Sequence, residues 1–358
     1  MSVSFDIQSA ACTYTVHIEV GLFQKIIQAI DSEVVIADDW FISLLLQRKI
    51  PSILLAANEA TKNLNALPDL IAKLREANVT RQTRLLALGG GVIQDVTAFA
   101  ASIYMRGVQW RYLPTTLLAM TDSCIGGKSS INVGPYKNLV GTFHPPTSIV
   151  IDPALVLTLT DEQRVSGLVE AAKICYCHGT VTFDCYLALS PNPSMSVEQL
   201  EQLITLSLQS KKWFIEIDEF DKKERLTLNF GHTFGHAIES ASNFRISHGL
   251  GVAIGILCIA ELGCYLGRSY DGARQVHLLI AHLRRLLTFV PELKEELQVL
   301  STADILDCFR ADKKHEPEWY SVILMASSGE VELLKMPKND QSRRAIEESI
   351  SRTLRKLC

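Results

Sequence analysis

The stretch RLLALGGGVIQDVTAFAAS, residues 84–102, decides the fold of the N-terminal half of the chain. It begins as an apolar strand, turns at Gly89, Gly90 and Gly91, and continues with the apolar spacing of a helix. Such a turn lets the backbone approach a pyrophosphate, whose charge meets the free N–H groups of the helix N-terminus. The spacing is not G-x-G-x-x-G, so a tight connection without a ligand is the alternative. Asp95 is either a ligand-binding carboxylate or an ordinary first-turn acid.

Short β-branched runs alternate with helical patterns on both sides of this stretch. Strands are predicted at YTVHIEV, EVVIAD, SILLAA, RLLALGGG and SIVIDP, and a helix at LNALPDLIAKLREANV. This order predicts a parallel sheet covered by helices, an α/β Rossmann-like nucleotide-binding domain over residues 1–160. Residues 161–358 are mainly helical in period, with one late hairpin in WYSVILMASSGEVELLKM, and predict a mainly α-helical C-terminal domain.

Composition and charge exclude several classes of partner. A chain of 358 residues with a net charge of -4 has no basic excess for a nucleic-acid backbone or an anionic membrane. The apolar run GVAIGILCIAELGCYLG is interrupted by Glu261 and is shorter than the roughly 20 residues that span a bilayer, so it predicts a buried helix. We therefore expect neither nucleic acid nor membrane as a partner.

The nine cysteines are odd in number and irregularly spaced, and no signal peptide is recognised. This pattern favours reduced thiols in a cytoplasmic protein. The segment CYCH, residues 175–178, lacks the second ligand pair of a structural zinc site, so free thiols are the preferred interpretation.

The segment PTTLLAMTDSCIGGKSSINVGPYKNLVGTFHPP, residues 114–146, is dense in Gly, Thr, Ser, Asn and Lys. It predicts a loop built around a ligand. Arg106, Lys128 and Lys137 are either a phosphate-binding set or three solvated cations, and spacing alone leaves both open. Asp122 is a candidate for binding a hydroxyl group or a cation.

A third group of residues suits a catalytic metal. In NFGHTFGHAIE, residues 229–239, His232 and His236 share one helix face, and Glu170 and His248 are further candidates. A catalytic zinc takes three protein ligands, so four candidates compete for three places and spacing does not decide among them. Cations and an amide in the same half of the chain suit a small anionic substrate; they are Lys173, Lys211, Arg225 and Asn229.

From Asp38 to Lys314 the chain resembles the dehydroquinate synthases, the type members of the sugar phosphate cyclases. The resemblance is carried by long blocks in the family's order: GGGVIQDVTAFAASIYMRG, PTTLLAMTDSCIGGKSSIN, YKNLVGTFHPP, GLVEAAK, LNFGHTFGHAIE, HGLGVAIG and DKK. It implies that NAD lies across the N-terminal domain. The residues it assigns to NAD are Asp38, Glu59, Lys62, Gly90, Gly91, Val92, Asp95, Thr115, Thr116, Asp122, Lys128, Lys137, Leu155 and Thr158.

The resemblance also assigns the metal and the substrate. Glu170, His232 and His248 match the family's ligands for a divalent metal, zinc or cobalt, and His236 matches an active-site histidine. The residues matched to the substrate or the reaction are Arg106, Asp122, Lys128, Asn138, Lys173, Lys211, Arg225, Asn229 and Lys313, with Lys314 as the alternative in DKK. Arg106 is expected to act across the interface of a homodimer.

The implied reaction converts 3-deoxy-D-arabino-heptulosonate 7-phosphate, a phosphorylated keto-acid sugar, into 3-dehydroquinate and phosphate. NAD oxidises one hydroxyl, with the metal as Lewis acid; phosphate is eliminated, the hydride returns, and an aldol step closes the ring. The protein orients the intermediates, an effect that can be worth about 7 to 11 kcal/mol.

Four positions depart from the family's usual pattern: Gln94 and Tyr136 replace glycines, Cys124 a serine and Leu250 a glutamate. Gln94 is expected to crowd NAD, and Leu250 to alter the surroundings of His248.

Related cyclases lose residues that this chain retains. Cyclases of sedoheptulose 7-phosphate usually lose the second histidine of GHTFGH, and those of glucose 6-phosphate lose the arginine and asparagine that match Arg225 and Asn229. Because this chain keeps all three, recognition of a carboxylate is the preferred hypothesis. The alternatives are a paralogous cyclase of secondary metabolism or polysaccharide synthesis, a metal-dependent polyol dehydrogenase, and a non-catalytic NAD sensor.

Overall fold

The computed structural model describes residues 2–134 and 136–358, and these form two compact units. The first unit contains the chain up to Leu159 together with Ser196–Phe220. The second unit contains Thr160–Met195 and Asp221–Cys358.

The elements follow one another as alternating strands and helices, and then mainly as helices. The strands are β1 Val3–Gln8, β2 Thr13–Ile18, β3 Val34–Asp38, β4 Ser52–Leu55, β5 Leu85–Gly89, β6 Trp110–Pro114, β7 Ile131–Val133, β8 Tyr136–Val140, β9 Ser148–Ile151, β10 Trp319–Met325 and β11 Val331–Pro337. The α-helices are α1 Leu22–Gln28, α2 Ile42–Arg48, α3 Leu67–Glu76, α4 Gly91–Ile103, α5 Asp161–His178, α6 Thr180–Ala188, α7 Val197–Ile217, α8 His232–Ala241, α9 His248–Tyr265, α10 Arg274–Leu287, α11 Leu293–Gln298, α12 Thr302–Arg310 and α13 Asp340–Leu357.

The first unit is built on a seven-stranded sheet in the order β1-β2-β9-β6-β5-β3-β4. Only the β1–β2 pair of this sheet is antiparallel; the other pairs are parallel. The inner strands are fully buried because apolar residues occupy both faces, as in LLALG of β5. One face packs on α1 and α2 through a core cluster: Phe23, Ile27, Val35, Ala37, Phe41, Leu45, Leu86, Leu88 and Leu113. The predicted α/β Rossmann-like fold is confirmed.

The five predicted strands are β2, β3, β4, β5 and β9, whereas β1 and the central strand β6 were not predicted. Strand β6, WRYLP, mixes a cation and a proline with apolar residues, so it lacks a clear strand pattern. Its position between β5 and β9 brings the loop after β6 beside the glycine turn: the Thr115 N–H donates to the Gly89 carbonyl at 3.0 Å.

Helix α7 belongs to the first unit, although the sequence placed all of residues 161–358 in one C-terminal domain. The Ser207 hydroxyl donates to the Thr121 carbonyl at 2.8 Å, and the Lys211 ammonium lies 2.5 Å from the Asp122 carboxylate. Helical periodicity identifies the buried face of a helix but not its packing partner, so this assignment could not be predicted from the pattern of α7.

The second unit is centred on helix α9, whose apolar residues are buried on all sides. Among the described residues, α9 is the one helix long and apolar enough to cross a membrane, but 78% of that segment is buried inside the protein. It packs against α8 at glycines: a Cβ on Gly255 would overlap the Gly231 carbonyl oxygen, and a Cβ on Gly235 would lie 3.0 Å from the Gly251 carbonyl carbon. The two helix backbones are therefore in direct contact. The predicted late hairpin is β10–β11.

We expect Gly255→Ala to destabilise the protein by about 3 kcal/mol, because the added methyl group meets a backbone carbonyl that cannot rotate away. The measurement is urea unfolding followed by circular dichroism. Gly272→Ala is the matched control, since nothing lies within 4 Å of a Cβ there, and its effect should stay within about 0.5 kcal/mol. Equal unfolding midpoints for the two variants would contradict the close helix contact.

Candidate active site

Three side chains from three helices of the second unit converge as a candidate metal group: Glu170, His232 and His248. Glu170 lies in the middle of α5, and the two histidines are the first residues of α8 and α9. The Glu170 Oε1 atom lies 3.5 Å from Nε2 of His248 and 4.0 Å from Nε2 of His232. One ligand atom from each residue falls within 4.8 Å of the others, which is the separation expected around one ion.

Hydrogen bonds orient both imidazoles toward Glu170. Nδ1 of His232 lies 3.2 Å from the Phe230 carbonyl, and Nδ1 of His248 lies 2.8 Å from the Glu239 carboxylate. Because each ring is bound through Nδ1, its Nε2 atom faces Glu170 and offers a lone pair when the ring is neutral. Oε1 of Glu170 is buried without a hydrogen-bond partner among the described residues, an arrangement that is costly unless a cation fills the space. These donor atoms fit a divalent metal.

The carboxylates in and beside the candidate metal group favour a positive charge there. Burial alone lowers the pKa of His248, but the carboxylates of Glu239 and Glu170 outweigh it and raise the pKa to about 10. Burial, together with the positive charges of Lys173 and His248, holds the pKa of His232 well below its ordinary value. In the metal-free group the proton on His248 therefore supplies the positive charge that the two carboxylates favour.

His236 lies beside the group, with its ring centroid 5.3 Å from that of His232. It forms a second possible cluster with Glu239 and His248. In that cluster Glu239 already accepts a hydrogen bond from His248, whereas Oε1 of Glu170 accepts none. The unsatisfied Oε1 atom of Glu170 favours Glu170, His232 and His248 as the metal group. His236 is then a neighbour of the group and not a member of it.

Buried cations surround the metal group. The Lys173 ammonium, fully buried, lies 2.5 Å from the other Glu170 oxygen. The Lys314 ammonium is buried without a hydrogen-bond partner among the described residues. Burial lowers its pKa, and the charges of Lys313 and Lys173 act in the same direction. Of the two lysines in DKK, Lys313 is exposed. The ammonium of Lys314 is buried, and it is near enough to Lys173 for the charge of Lys173 to lower its pKa.

Arg225 and Asn229 lie in a short 3-10 helix, Glu224–Asn229, that leads into α8. Arg225 is buried, and the Asn229 amide donates to the Leu226 carbonyl at 3.1 Å. The structure thus places both residues directly before His232 along the chain.

In the first unit the glycine turn joins β5 to α4, with Gly90 as the N-cap. A Cβ on Gly89 would lie 2.5 Å from Cγ1 of Ile93, and one on Gly90 would lie 2.9 Å from Cγ2 of Thr116. Side chains are therefore excluded at these two positions, and the first N–H groups of α4 are open to an anion. Val92 and the buried Thr115 flank this turn.

Four of the residues assigned to NAD by resemblance form a connected polar network: Glu59, Lys62, Asp95 and Lys137. Lys62 pairs with Asp95 at 2.6 Å, and Lys137 lies 3.5 Å from Glu59. Burial raises the pKa of Asp95, partly offset by Lys62. Asn132 connects the two pairs, since its amide donates to Glu59 at 2.7 Å and its own N–H donates to the Lys62 carbonyl.

Asn132 was not predicted as a site residue, and the signal that could have found it is its place in SSIN within the ligand-type loop. Its side-chain oxygen also accepts from the Asn138 N–H at 2.9 Å, and Lys128 forms a backbone bridge with Phe143. The loop predicted to surround a ligand is therefore internally ordered.

The remaining predicted residues lie at the edges of the first unit. Asp38 ends β3 and caps the turn that follows through the Trp40 N–H. The Thr158 hydroxyl donates to the carbonyl of Leu155, whose side chain packs on the core cluster. Arg106 is exposed with a φ of 67°, and no ion pair joins it to the described residues.

The four departures occupy different environments. Gln94 is buried and directs its amide at Ser123 through two hydrogen bonds. Cys124 is buried, and burial raises its pKa to about 12. Leu250 is buried in α9, and Tyr136 is exposed.

All nine cysteines lie in the described part of the chain and are free thiols, and Cys177 donates to the Thr227 carbonyl.

Metal content should separate the two histidines of NFGHTFGHAIE. We expect His232→Ala to lose the bound metal and His236→Ala to retain it, because only His232 faces the unsatisfied Glu170 oxygen. The measurement is metal analysis after gel filtration of zinc-loaded protein. Loss of metal from His236→Ala, with metal retained by His232→Ala, would instead assign the site to His236, Glu239 and His248.

Metal binding should release a proton from His248. A metal needs neutral imidazoles, and the raised pKa keeps His248 protonated at neutral pH, so affinity should rise about tenfold per pH unit over roughly pH 6 to 9. Calorimetry in two buffers of different ionisation enthalpy counts the released proton. Glu239→Gln should flatten the pH dependence, because it removes the charge that most raises this pKa. An affinity independent of pH would show that His248 is already neutral in the metal-free protein and has no raised pKa.

Comparison with known proteins places these features in a family. Models of the 3-dehydroquinate synthase N-terminal and C-terminal domains match residues 52–166 and 167–315. The 3-dehydroquinate synthase of Latilactobacillus sakei is 32% identical over 289 residues, 81% of this chain and 78% of its own. That of Dictyoglomus turgidum is 35% identical over 290 residues, 79% of this chain and 78% of its own.

A solved structure of 2-deoxy-scyllo-inosose synthase with carbaglucose-6-phosphate, NAD+ and Co2+ has the same fold. It matches with a TM-score of 0.82 at 22% identity, over 98% of this chain and 99% of its own. At that identity the likeness concerns the fold alone, whereas the family models cover most of the sequence. From these sequence matches, the chain belongs to the 3-dehydroquinate synthase family.

Proposed function

We propose that this protein is a 3-dehydroquinate synthase, which converts 3-deoxy-D-arabino-heptulosonate 7-phosphate into 3-dehydroquinate and phosphate. The observation that carries the proposal is the buried Lys314 ammonium, which lies near Lys173 and His232 and has no hydrogen-bond partner among the described residues. Buried cations are costly unless they meet anions, and this substrate brings both a phosphate and a carboxylate. Family membership and the relatives' names agree with this assignment.

NAD is proposed to bind the first unit. Its pyrophosphate would meet the N–H groups that follow Gly90, where side chains are excluded. The network of Glu59, Lys62 and Asp95 offers both charges and hydrogen-bond acceptors for the rest of the cofactor. The structure of 2-deoxy-scyllo-inosose synthase, which has the same fold, was solved with NAD+.

A divalent metal, zinc or cobalt, is proposed to be held by Glu170, His232 and His248. When bound, NAD would accept and return a hydride, and the metal would polarise the substrate hydroxyl group as a Lewis acid. Lys173, already paired with Glu170, holds the carboxylate in place. Glu239 fixes the His248 ring, and such outer contacts are typically worth 10- to 100-fold in metal affinity, as an order of magnitude.

The chain's own residues would bind and orient the substrate. Lys314 and Lys173 provide buried positive charge for the leaving phosphate or the carboxylate. Arg225 offers the planar fork that matches a carboxylate, and His236 lies within reach of the metal group to move a proton. Fixed cations favour elimination because the negative charge on the departing phosphate is stabilised as it develops.

The enzyme would be a carbon–oxygen lyase that eliminates phosphate, acting in the cytoplasm, and its nine free thiols agree with a reducing compartment. A homodimer is proposed because Arg106, a matched substrate residue, is exposed and without an ion pair in the described chain. In a dimer its charge could serve the partner's substrate.

A metal-dependent polyol dehydrogenase is the alternative from another reaction class, and the fold also resembles a probable glycerol dehydrogenase, with a TM-score of 0.64 at 14% identity. A neutral polyol gives the buried Lys314 ammonium no anion to meet. This disagreement between the buried charges and the substrate favours the synthase.

The test is phosphate release by purified protein supplied with NAD, zinc and the seven-carbon keto-acid phosphate. We expect release that stops after metal stripping, without accumulation of NADH, because the hydride returns within each cycle. Glu170→Gln should abolish release, whereas Glu224→Gln, an exposed change in the same unit, should leave it intact. Steady NADH production from a simple polyol, with no phosphate release, would establish the dehydrogenase instead.

A further inference from the structure

The segment Ala119–Ser123 of the first unit is a π-helix, a conformation often found at functional positions. A helix end leaves carbonyl groups without partners in its own backbone. Here three consecutive carbonyls are each bound by a side chain from another helix. The Ser207 hydroxyl donates to Thr121 at 2.8 Å, the Lys211 ammonium to Asp122 at 2.5 Å, and the Gln94 amide to Ser123 at 2.6 Å.

Gln94 makes the most specific of these contacts, because it holds one residue at two points. Its Nε2 donates to the Ser123 carbonyl, and its Oε1 accepts from the Ser123 hydroxyl at 2.7 Å. Its side chain is only 3% exposed, so water does not compete for these bonds. Both ends of the amide are thus used on Ser123.

The contact joins the helix of the glycine turn to the π-helix. Gln94 precedes Asp95 in α4, and Ser123 follows Asp122, whose carboxylate and carbonyl both bind the Lys211 ammonium at 2.5 Å. The position of the Lys211 ammonium therefore depends on Asp122. Asp122 in turn lies between Thr121 and Ser123, whose carbonyls accept hydrogen bonds from Ser207 and Gln94.

We propose that Gln94 is a positioning residue that fixes the π-helix and, through Asp122, holds the Lys211 ammonium in place for an anionic substrate. The anchoring follows from the contacts alone, whereas the benefit to the substrate rests on the proposed function. The residue at this position would therefore govern how firmly the substrate is held, while NAD would be bound by other residues of α4 and its turn.

The test uses Gln94→Met, which keeps the length of the side chain and removes both hydrogen bonds, and Ser123→Ala, which removes one of them. Thr97→Val in the same helix is the matched control, because the buried Thr97 hydroxyl has no hydrogen-bond partner in the described structure. The KM for the keto-acid phosphate, kcat, the Kd for NAD and hydrogen exchange of the peptide containing residues 119–124 are measured for each protein.

We expect Gln94→Met to raise KM about tenfold with kcat and the Kd for NAD within about threefold, since a misplaced binding group weakens substrate binding first. Ser123→Ala should give a smaller rise, and Thr97→Val none. Simple loss of folded protein would lower kcat and leave KM unchanged. Exchange in residues 119–124 should become faster in Gln94→Met, to a smaller extent in Ser123→Ala, and not in Thr97→Val.

The two readouts separate the two proposals. If the unaltered protein releases no phosphate, the proposed function fails, and exchange still tests the anchoring. If exchange and KM in Gln94→Met both match Thr97→Val, Gln94 is not a positioning residue. Faster exchange with an unchanged KM would also overturn the proposal, because the fixed π-helix would then be irrelevant to the substrate.

Discussion

The direct contact between helices α8 and α9 is the constraint on which the metal group depends. Each helix begins with a histidine of the candidate metal group, so the separation of the two imidazoles is set by how closely the backbones approach. Gly231 and Gly255 allow that approach, because a Cβ on Gly255 would overlap the Gly231 carbonyl oxygen. A third glycine acts on α5: a Cβ on Gly249 would overlap Ser166, one helical turn before Glu170. The absence of side chains at these positions brings the three polar side chains of the candidate metal group together.

Charge compensation explains why such a polar centre is stable inside an apolar helical unit. Glu170 and Lys173 are both fully buried, and each would be costly without the other. Glu239 balances His248 in the same way. The first unit solves a similar problem with the Lys62–Asp95 and Lys137–Glu59 pairs around Asn132. In both units the polar groups form closed networks in which most donors and acceptors are used, and the Glu170 Oε1 atom is an exception that points to a cation.

The sequence predicted the features that depend on local pattern. Strands rich in β-branched residues, the glycine turn and the buried character of α9 follow from composition and spacing over short distances. It did not predict that α7 packs in the first unit, since periodicity does not name a partner. Spacing also left four candidates for three metal ligands, and what separates them is an unsatisfied oxygen in the folded chain. Asn132, Glu239 and Gln94 act through residues distant in sequence, so their roles emerge only from the fold.

Glu170, His232 and His248 are proposed to hold one metal, and X-ray absorption at the zinc edge of the zinc-loaded His236→Ala variant would identify the ligands of that metal. We expect two imidazole nitrogens at about 2.0 to 2.1 Å and oxygen ligands at about 2.0 to 2.2 Å, with no sulfur. A spectrum with a single imidazole, or with a sulfur ligand at about 2.3 Å, would contradict it.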